Sequence, residues 1–280
     1  MKLGMIAGSG DLPQVVANHR RTVDEHVHVL LIKGFEQPWV ADFSHDICGI
    51  AELGKMVKSL KAQNCDTLTL IGNVKRPDFG KIKADLKGMS LLPRIIRAAK
   101  KGDDALLRTM VEIFEEEGFR VIGVQDLLED LVLPPVRLTD AEPSTELADD
   151  VRRAFDIAGV IGSEDIGQGC VVCSGLVLAV EAQEGTDEML KRVARLPSEI
   201  RGTEDQRRGV LVKRPKPIQE QRVDLPVIGP STIRLAATAG LVAVCGVENG
   251  ALWVAKEESV ALAESLGVSL ISLCEDGSLP

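Results

Sequence analysis

The chain has 280 residues, of which 45% are apolar and 27% charged, and its net charge is −9. This length predicts about two domains, and the balance of residues is that of a globular protein with a core in each. The acidic charge and the low aromatic content of 3% argue against a nucleic-acid partner. No segment resembles a signal peptide or a membrane span, and we expect a cytoplasmic protein with reduced cysteines.

The first half alternates between strand-like and helix-like segments. Apolar runs predict strands, and apolar residues spaced by three and four positions predict helices. The strands are expected at 3–7, 27–32, 67–71 and 119–124, and the helices at 14–21, 51–63, 91–100 and 104–117. Such βα alternation favours a parallel sheet covered by helices, and we assign it to an N-terminal domain of residues 1–130.

Residues 131–144 contain three prolines and little periodicity, which predicts a linker. The C-terminal domain, residues 145–280, is predicted to be mixed α/β. Its helices are expected at 146–161, 187–194, 231–239 and 257–266, and its strands at 171–173, 176–181, 209–213, 241–245, 251–255 and 268–273.

Two glycine-containing turns follow the first and third predicted strands. Glycines let a backbone approach a phosphate, and a following helix directs N–H groups at the anion; ligands of open α/β sheets lie at these carboxyl ends. Pro13 at the third glycine position and Lys33 after the second strand argue against NAD. The alternative is that the residues only form turns. The candidate ligand-binding residues are Gly8, Ser9, Gly10, Asp11 and Leu12, and then Gly72, Asn73, Val74 and Arg76.

Polar residues also gather where other predicted elements begin or end. Asp103 and Asp104 precede a helix, and helix capping alone is an alternative explanation for Asp103. Clustered acids suit a hard cation such as Mg²⁺, although Thr186 or Asp187 capping a helix is again the alternative. The candidates in the second half are Gln168 and Gly169, Glu184, Gly185 and Thr186 for substrate, and Glu181 and Asp187 for metal.

Residues 213–226, here called the strap, combine cations, prolines and carboxylates. Each proline restricts its own φ and favours extended geometry in the residue before it, so we predict a stiff, extended segment. Cations beside a carboxylate suggest phosphate-ester or pyrophosphate chemistry. The strap candidates are Lys213, Lys216, Gln219, Arg222 and Asp224.

Two further patterns concern the cysteines, whose pair is interpreted as structural, and the histidines. Cys170 and Cys173 have no second cysteine pair or nearby histidine, so a zinc site is not expected. All the histidines precede residue 46, which leaves the strap without a histidine from its own half.

Together, the motifs resemble one known family, the LpxI-type UDP-2,3-diacylglucosamine pyrophosphatases of lipid A synthesis. The resemblance extends from about residue 3 to about 274 and rests on motifs that occur in the family's order. They are Gly8-Ser-Gly10-Asp-Leu-Pro13, Gly72-Asn-Val-x-Arg76-Pro-Asp78, Lys101-Gly-Asp-Asp-Ala-Leu-Leu-Arg108, Asp165-Ile-Gly-Gln-Gly169, Ala182-Gln-Glu-Gly-Thr-Asp187 and Lys216-Pro-x-Gln219-x-x-Arg222-x-Asp224-Leu-Pro226.

The resemblance implies a fold and a reaction. It implies a Rossmann-like N-terminal lid domain and a mixed α/β C-terminal domain, with the ligand site between them. The reaction is the Mg²⁺-dependent hydrolysis of UDP-2,3-diacylglucosamine to UMP and 2,3-diacylglucosamine 1-phosphate (lipid X). The family's essential aspartate corresponds to Asp224, which we expect to hold Mg²⁺ or to orient water, with Lys216 and Gln219 as further catalytic candidates.

Two other functions are compatible with the same residues. One is a transferase that uses a UDP-sugar, and the other is a non-catalytic sensor of a nucleotide or lipid. Peripheral contact with the inner membrane face and a homodimer are also left open by the sequence.

Overall fold

The computed structural model describes residues 1–75, 77–139 and 145–280. It divides into two compact units, and the predicted α/β class is confirmed in both. Unit 1 comprises Met1–Leu128 and Arg222–Asp224, and unit 2 comprises Glu129–Gln221 and Leu225–Pro280. No helix in the described residues is long and apolar enough to cross a bilayer.

The described strands of unit 1 form a parallel sheet in the order β3-β2-β1-β4-β5. This order is also found in doubly wound nucleotide-binding sheets. Residues of β1 and β2 are buried throughout, as expected of parallel strands covered on both faces. The strands are β1 Leu3–Ala7, β2 Val27–Ile32, β3 Ser44–Cys48, β4 Thr67–Ile71 and β5 Arg120–Val121.

The helices of unit 1 bury regularly spaced apolar residues against this sheet. In α2, Leu53, Met56, Val57 and Leu60 share one face and belong to the core that also contains Leu30 and Leu68. The helices are α1 Leu12–Thr22, α2 Leu53–Ala62, α3 Leu86–Ala99 and α4 Asp103–Glu116.

Two features of unit 1 differ from the predictions. Strand β3 was not predicted, because Ser44, His45 and Asp46 are polar and exposed at the sheet edge, where no apolar pattern is required. Helix α3 begins at Leu86, five residues before the predicted start, where the Asp85 carboxylate accepts the Gly88 N–H at 2.7 Å and caps the helix.

The main sheet of unit 2 has the order β6-β13-β11-β9-β7-β8. Strands β13, β11 and β9 are parallel, whereas β6, β7 and β8 pair antiparallel with their neighbours. A separate parallel pair joins β10 and β12. The strands are β6 Val136–Arg137, β7 Gly169–Cys173, β8 Leu176–Val180, β9 Val210–Lys213, β10 Val227–Ile228, β11 Ala243–Val247, β12 Leu252–Trp253 and β13 Ser269–Leu273.

Alternate residues of this sheet supply two cores. Leu211 and Val244 pack on the side of α6, α7 and α8, whereas Val212 and Cys245 pack on the side of α5. The helices are α5 Thr145–Ser163, α6 Gly185–Ala194, α7 Pro230–Thr238 and α8 Lys256–Leu266.

Part of the predicted linker, residues 131–144, belongs to the fold of unit 2. Strand β6 lies in this segment and pairs with β13, so Leu133 and the residues after it join the sheet and its core. A two-residue strand is too short to produce a recognisable pattern. Residues 140–144 lie outside the described part of the chain.

Candidate active site

The carboxyl ends of β1 and β4 bring the two predicted glycine turns together. Ser9 and Asn73 exchange backbone hydrogen bonds of 2.9 Å in both directions, and the Ser9 hydroxyl also donates to the Asn73 carbonyl at 2.9 Å. The Gly8 N–H donates to the Ile71 carbonyl at 2.9 Å. Because β1 and β4 are neighbours, turns that are 64 residues apart in sequence form one surface at the edge of the sheet.

Glycine is required at two positions of this surface. A Cβ at Gly8 would lie 2.5 Å from the Asn73 carbonyl oxygen. Gly72 has φ of +88°, and a Cβ there would lie 2.7 Å from the Ser9 carbonyl oxygen. The close approach of the two turns therefore excludes any side chain at either position.

A third loop, not predicted from the sequence, reaches the same surface. The Gln37 amide donates to the Gly8 and Gly10 carbonyls at 3.4 and 3.3 Å, and its oxygen accepts the Trp39 indole N–H at 2.7 Å. This loop follows β2, which is the other neighbour of β1. Its position after β2 was the only signal that could have identified Gln37.

The remaining candidates of unit 1 lie at helix starts and beside the turns. Asp11 precedes α1 but makes no capping hydrogen bond with its side chain, and Leu12 is the first residue of α1. Val74 is partly exposed, and Arg76 lies outside the described residues.

The start of α4 holds a buried carboxylate. The N-cap position is Gly102 and Asp103 is the first helical residue, so Asp103 does not occupy the N-cap position that the alternative explanation gave it. Asp104 is only 6% exposed and pairs with Arg108 at 3.0 Å. It borders a cavity of about 370 Å³ whose wall also includes Arg94 and Lys101. The wall of this cavity therefore carries the cations Arg94, Lys101 and Arg108 beside one buried carboxylate.

In unit 2, a buried ion pair ties the strap to the loop before β7. The Lys216 ammonium lies 2.6 Å from the Asp165 carboxylate, and the two side chains are 10% and 11% exposed. Gln219 donates from its amide to the Gln168 side-chain oxygen at 3.2 Å, and the Arg214 N–H donates to the Gln168 carbonyl at 3.0 Å. Lys216, Gln219 and Gln168 are therefore placed together.

The strap is not an extended segment, contrary to the prediction. It turns at Pro217–Ile218 and again at Gln221–Val223. The Gln219 N–H donates to the Lys216 carbonyl at 3.0 Å, and the Lys216 N–H donates to the Gln219 side-chain oxygen at 2.7 Å. The φ that proline imposes suits the second position of a β-turn as well as an extended chain, and the turn with its side-chain closure prevails.

Two glycines of α5 let this helix pack closely on the strap. A Cβ at Gly159 would lie 2.7 Å from the Arg214 guanidinium, and a Cβ at Gly162 would lie 3.2 Å from the Lys216 Cα. The guanidinium lies 3.9 Å above the Phe155 ring, and burial lowers the pKa of Arg214. Arg214 therefore anchors the strap to α5.

Lys213, predicted to bind substrate, is 4% exposed at the end of β9. Its ammonium donates to the Val227 carbonyl at 3.0 Å. The hydrocarbon part of this side chain lies in the protein interior, and the ammonium helps to hold β10 near β9.

Glu181 follows β8 and lies against the loop before β7. Its N–H donates to the Gly169 carbonyl at 2.8 Å, and its Oε1 accepts the Thr186 hydroxyl at 2.8 Å. Thr186 thus binds a carboxylate and does not cap α6. Glu181 is 6% exposed, and its Oε2 is buried without a hydrogen-bond partner in the described part of the chain. An unpartnered carboxylate oxygen is suited to a cation.

The other candidates near Glu181 are also placed at the start of α6. Glu184 occupies the N-cap position and accepts from Arg192 at 2.7 Å, while Gly185 begins the helix with φ of +78°. The Asp187 carboxylate accepts the Ser231 hydroxyl at 3.4 Å. Within the described ranges, no cluster of three or more His, Cys, Asp or Glu side chains could hold a metal ion.

The last strap candidates group with unit 1. Val223 packs against the core of that unit, and Arg222 forms an ion pair of 2.7 Å with Glu115. Asp224 is half-buried beside them. The strap therefore divides after Gln221, with Lys216 and Gln219 in unit 2 and Asp224 in unit 1.

The cysteines of β7 are interior residues, in agreement with the structural interpretation. Burial raises the pKa of the Cys170 thiol to about 12 and also raises the pKa of Cys173. Neither thiol is suited to nucleophilic attack or metal binding.

Comparison with known proteins shows similarity over nearly the whole chain. Residues 2–131 match the LpxI N-terminal domain, and residues 134–271 match the LpxI C-terminal domain. The chain is also 47% identical over 272 residues to UDP-2,3-diacylglucosamine pyrophosphatase LpxI of Caulobacter vibrioides, and the alignment covers 97% of each chain.

Proposed function

Because this chain belongs to the LpxI family, we propose that it hydrolyses the pyrophosphate bond of UDP-2,3-diacylglucosamine. The products are UMP and 2,3-diacylglucosamine 1-phosphate. The observation that carries the proposal is 47% identity, over 97% of both chains, to a relative that is named for this activity.

The chemistry needs an oriented water and neutralisation of the phosphoryl oxygens. Water adds to one phosphorus, the P–O bond to the bridging oxygen breaks, and the water proton passes to a base or to solvent. We propose that Asp224 orients the water, directly or through a metal, and that Arg222 and Lys216 neutralise charge. Lys216 donates one of its three protons to Asp165, which leaves two for phosphate.

Gln219 closes the turn that carries Lys216 with two hydrogen bonds. The Gln219 side-chain oxygen accepts the Lys216 N–H, and the Gln219 N–H donates to the Lys216 carbonyl. We therefore assign Gln219 a positioning role in the proposed reaction, because a small displacement of a catalytic group costs much of the rate.

We also propose Mg²⁺ as the cofactor, since oxygen donors of the kind that Glu181, Asp187 and Asp224 provide suit this ion. When bound, Mg²⁺ polarises a phosphoryl oxygen and lowers the pKa of a bound water. It is commonly held by one or two carboxylates together with substrate phosphates, so a cluster of three acids is not required. The buried, unpartnered Oε2 of Glu181 supports this part of the proposal.

The nucleotide and sugar moieties are proposed to bind the surfaces formed by the predicted turns. In unit 1, the Gly8–Gly10 turn lies against Asn73, and we propose the Asn73 side-chain amide as a ligand contact. In unit 2, we propose Gln168, Gly169 and Thr186 for the same role. The cysteines of the described chain are unpaired, which suits the reducing cytoplasm in which we place the reaction.

The test is incubation of the purified full chain with UDP-2,3-diacylglucosamine, with and without EDTA, followed by mass spectrometry. We expect UMP and the lipid 1-phosphate, and loss of both when EDTA is present. UDP release instead identifies a glycosyl transferase. Ligand-induced thermal stabilisation with no product identifies a sensor.

The Asp224→Ala variant tests the assigned catalytic residue. We expect no turnover but retained substrate binding, measured as a thermal shift with the lipid nucleotide. Glu188→Ala, which removes an exposed acid from α6, is the matched control and should keep wild-type turnover. Wild-type rates in Asp224→Ala would show that the assignment is wrong.

A further inference from the structure

The segment that leads into and forms α3 has the opposite charge to the rest of the chain. Residues 81–101 contain seven cations and one acid, within a chain whose net charge is −9. The cations are Lys81, Lys83, Lys87, Arg94, Arg97, Lys100 and Lys101, and the acid is Asp85, which caps α3. A local positive field on an acidic protein attracts an anionic partner.

One face of α3 also exposes large apolar side chains. Leu86 is 84% exposed and Met89 is 56% exposed, and Pro93 is exposed on the next turn. These residues lie three and four positions apart and therefore share a face of the helix. Lys100 lies two helical turns after Pro93 and continues this face. Ile95 points to the core instead. The solvent face of α3 is thus apolar at its start and basic at its end.

Part of this positive charge is neutralised within the described ranges, where Lys81 pairs with Asp78. Lys87 pairs with Glu117, and Arg94 pairs with Glu112 and Glu116. Across the described ranges, no ion pair neutralises Lys83 or Lys100, and both are exposed. The surface of α3 therefore combines two exposed apolar side chains, Leu86 and Met89, with exposed cations. A partner that matches it has negative charge at its surface and an apolar layer beneath.

We propose that the solvent face of α3, with the basic segment before it, docks on an anionic phospholipid bilayer. Leu86 and Met89 insert at the boundary of headgroups and acyl chains, and Lys83 and Lys100 contact the headgroups. Either signal alone gives only marginal binding, and stable membrane association commonly needs two. The biological need rests on the proposed function, because a substrate with two acyl chains resides in a membrane.

A bilayer suits this face better than a protein does. Two apolar side chains and a proline on one helix are far from the area that a stable protein interface buries. Insertion of single side chains among dispersed anionic headgroups needs no complementary shape, and the charge of this segment supplies the attraction.

The test is co-sedimentation of the full-length protein with vesicles of phosphatidylcholine and phosphatidylglycerol, compared with vesicles of phosphatidylcholine alone. We expect binding to the anionic vesicles only, and its loss at high salt. Lys83→Gln and Lys100→Gln should each lower the partition coefficient about fivefold. The Leu86→Gln/Met89→Gln variant should lower it about tenfold.

Matched controls use residues elsewhere on the surface. Val160 on α5 is 65% exposed and Lys58 on α2 is exposed, so Val160→Gln and Lys58→Gln should keep wild-type partition. Equal losses in the controls, no vesicle binding by the wild type, or unchanged binding by the α3 variants would each overturn the proposal. A change in oligomeric mass without vesicle binding would assign the face to self-association instead.

Hydrolysis assays separate this proposal from the proposed function. Leu86→Gln/Met89→Gln should hydrolyse detergent-dispersed UDP-2,3-diacylglucosamine at the wild-type rate but lose activity on the same lipid in vesicles. Vesicle binding without hydrolysis in either form would leave the docking face standing and reject the pyrophosphatase. Hydrolysis in detergent without vesicle binding would support the pyrophosphatase and reject the docking face.

Discussion

The buried pair of Lys216 and Asp165 allows a quantitative prediction about unit 2. The two side chains are 10% and 11% exposed and their charged atoms lie 2.6 Å apart. Removing one partner of a buried pair leaves the other charge without compensation, which costs about 3–5 kcal/mol. Since each side chain keeps some exposure, we expect the lower value of about 3 kcal/mol for Lys216→Met and for Asp165→Asn.

The double variant should behave very differently from the sum of the single ones. Replacing both charges removes the desolvation cost along with the attraction and is often close to neutral. We therefore expect Asp165→Asn/Lys216→Met to lose about 1 kcal/mol rather than about 6. Asparagine is chosen because Asp165 has φ of +53°, a conformation that asparagine tolerates and alanine does not.

The assay is urea unfolding followed by tryptophan fluorescence. The chain has two tryptophans, Trp39 in unit 1 and Trp253 in unit 2, and Trp253 is 2% exposed. All variants are made in a Trp39→Phe background, so that the signal reports the unfolding of unit 2. The free energy of unfolding of each variant then enters a double-mutant cycle.

One result would refute the reasoning. If the loss in the double variant equals the sum of the two single losses within about 0.5 kcal/mol, the charges are not coupled in solution. The placement of Lys216 by Asp165, and with it the proposed geometry of the strap, would then be wrong.

Three further predictions concern other parts of the chain. In calorimetry, Gly72→Ala should lower the free energy of unfolding by about 2 kcal/mol more than Gly10→Ala. An added Cβ would lie 2.7 Å from a carbonyl oxygen at Gly72 but would meet no atom of the described residues within 4 Å at Gly10. Equal losses would contradict this. Burial lowers the pKa of His28 below 6.5, so as the pH falls through that value the unfolded chain binds a proton that the folded chain does not, and stability falls. His28→Gln should weaken this acid dependence in urea titrations. The pKa of Cys170 is raised to about 12, so a colorimetric thiol reagent should modify the partly exposed Cys274 long before Cys170.

Much of unit 1 could be predicted from the sequence because its signals are local. Continuous apolar runs identified β1, β2 and β4, and glycines after β1 and β4 marked the turns at their carboxyl ends. The rule that ligands lie at this edge of an α/β sheet drew attention to both turns, and the backbone hydrogen bonds between Ser9 and Asn73 join the two turns there. Gln37 was missed because one amide in an irregular loop has no distinguishing pattern.

The strap shows where local rules stop. Pro217 restricts one φ angle, and that angle is shared by extended chains and β-turns. The turn is stabilised by two contacts. The Gln219 side chain accepts the Lys216 N–H, and Asp165, which lies 51 residues earlier, binds the Lys216 ammonium. Neither contact is visible in the order of residues.

The amino-acid sequence alone determined the fold class and the types of side chain available to the site, since periodicity, turn residues and motif order are properties of neighbouring positions. Tertiary structure decided which of those side chains meet. It paired Lys216 with Asp165, buried one oxygen of Glu181 without a partner among the described residues, and grouped Asp224 with unit 1. The physical reason is that contacts between distant segments depend on burial and geometry summed over the whole core, which no short stretch of sequence contains.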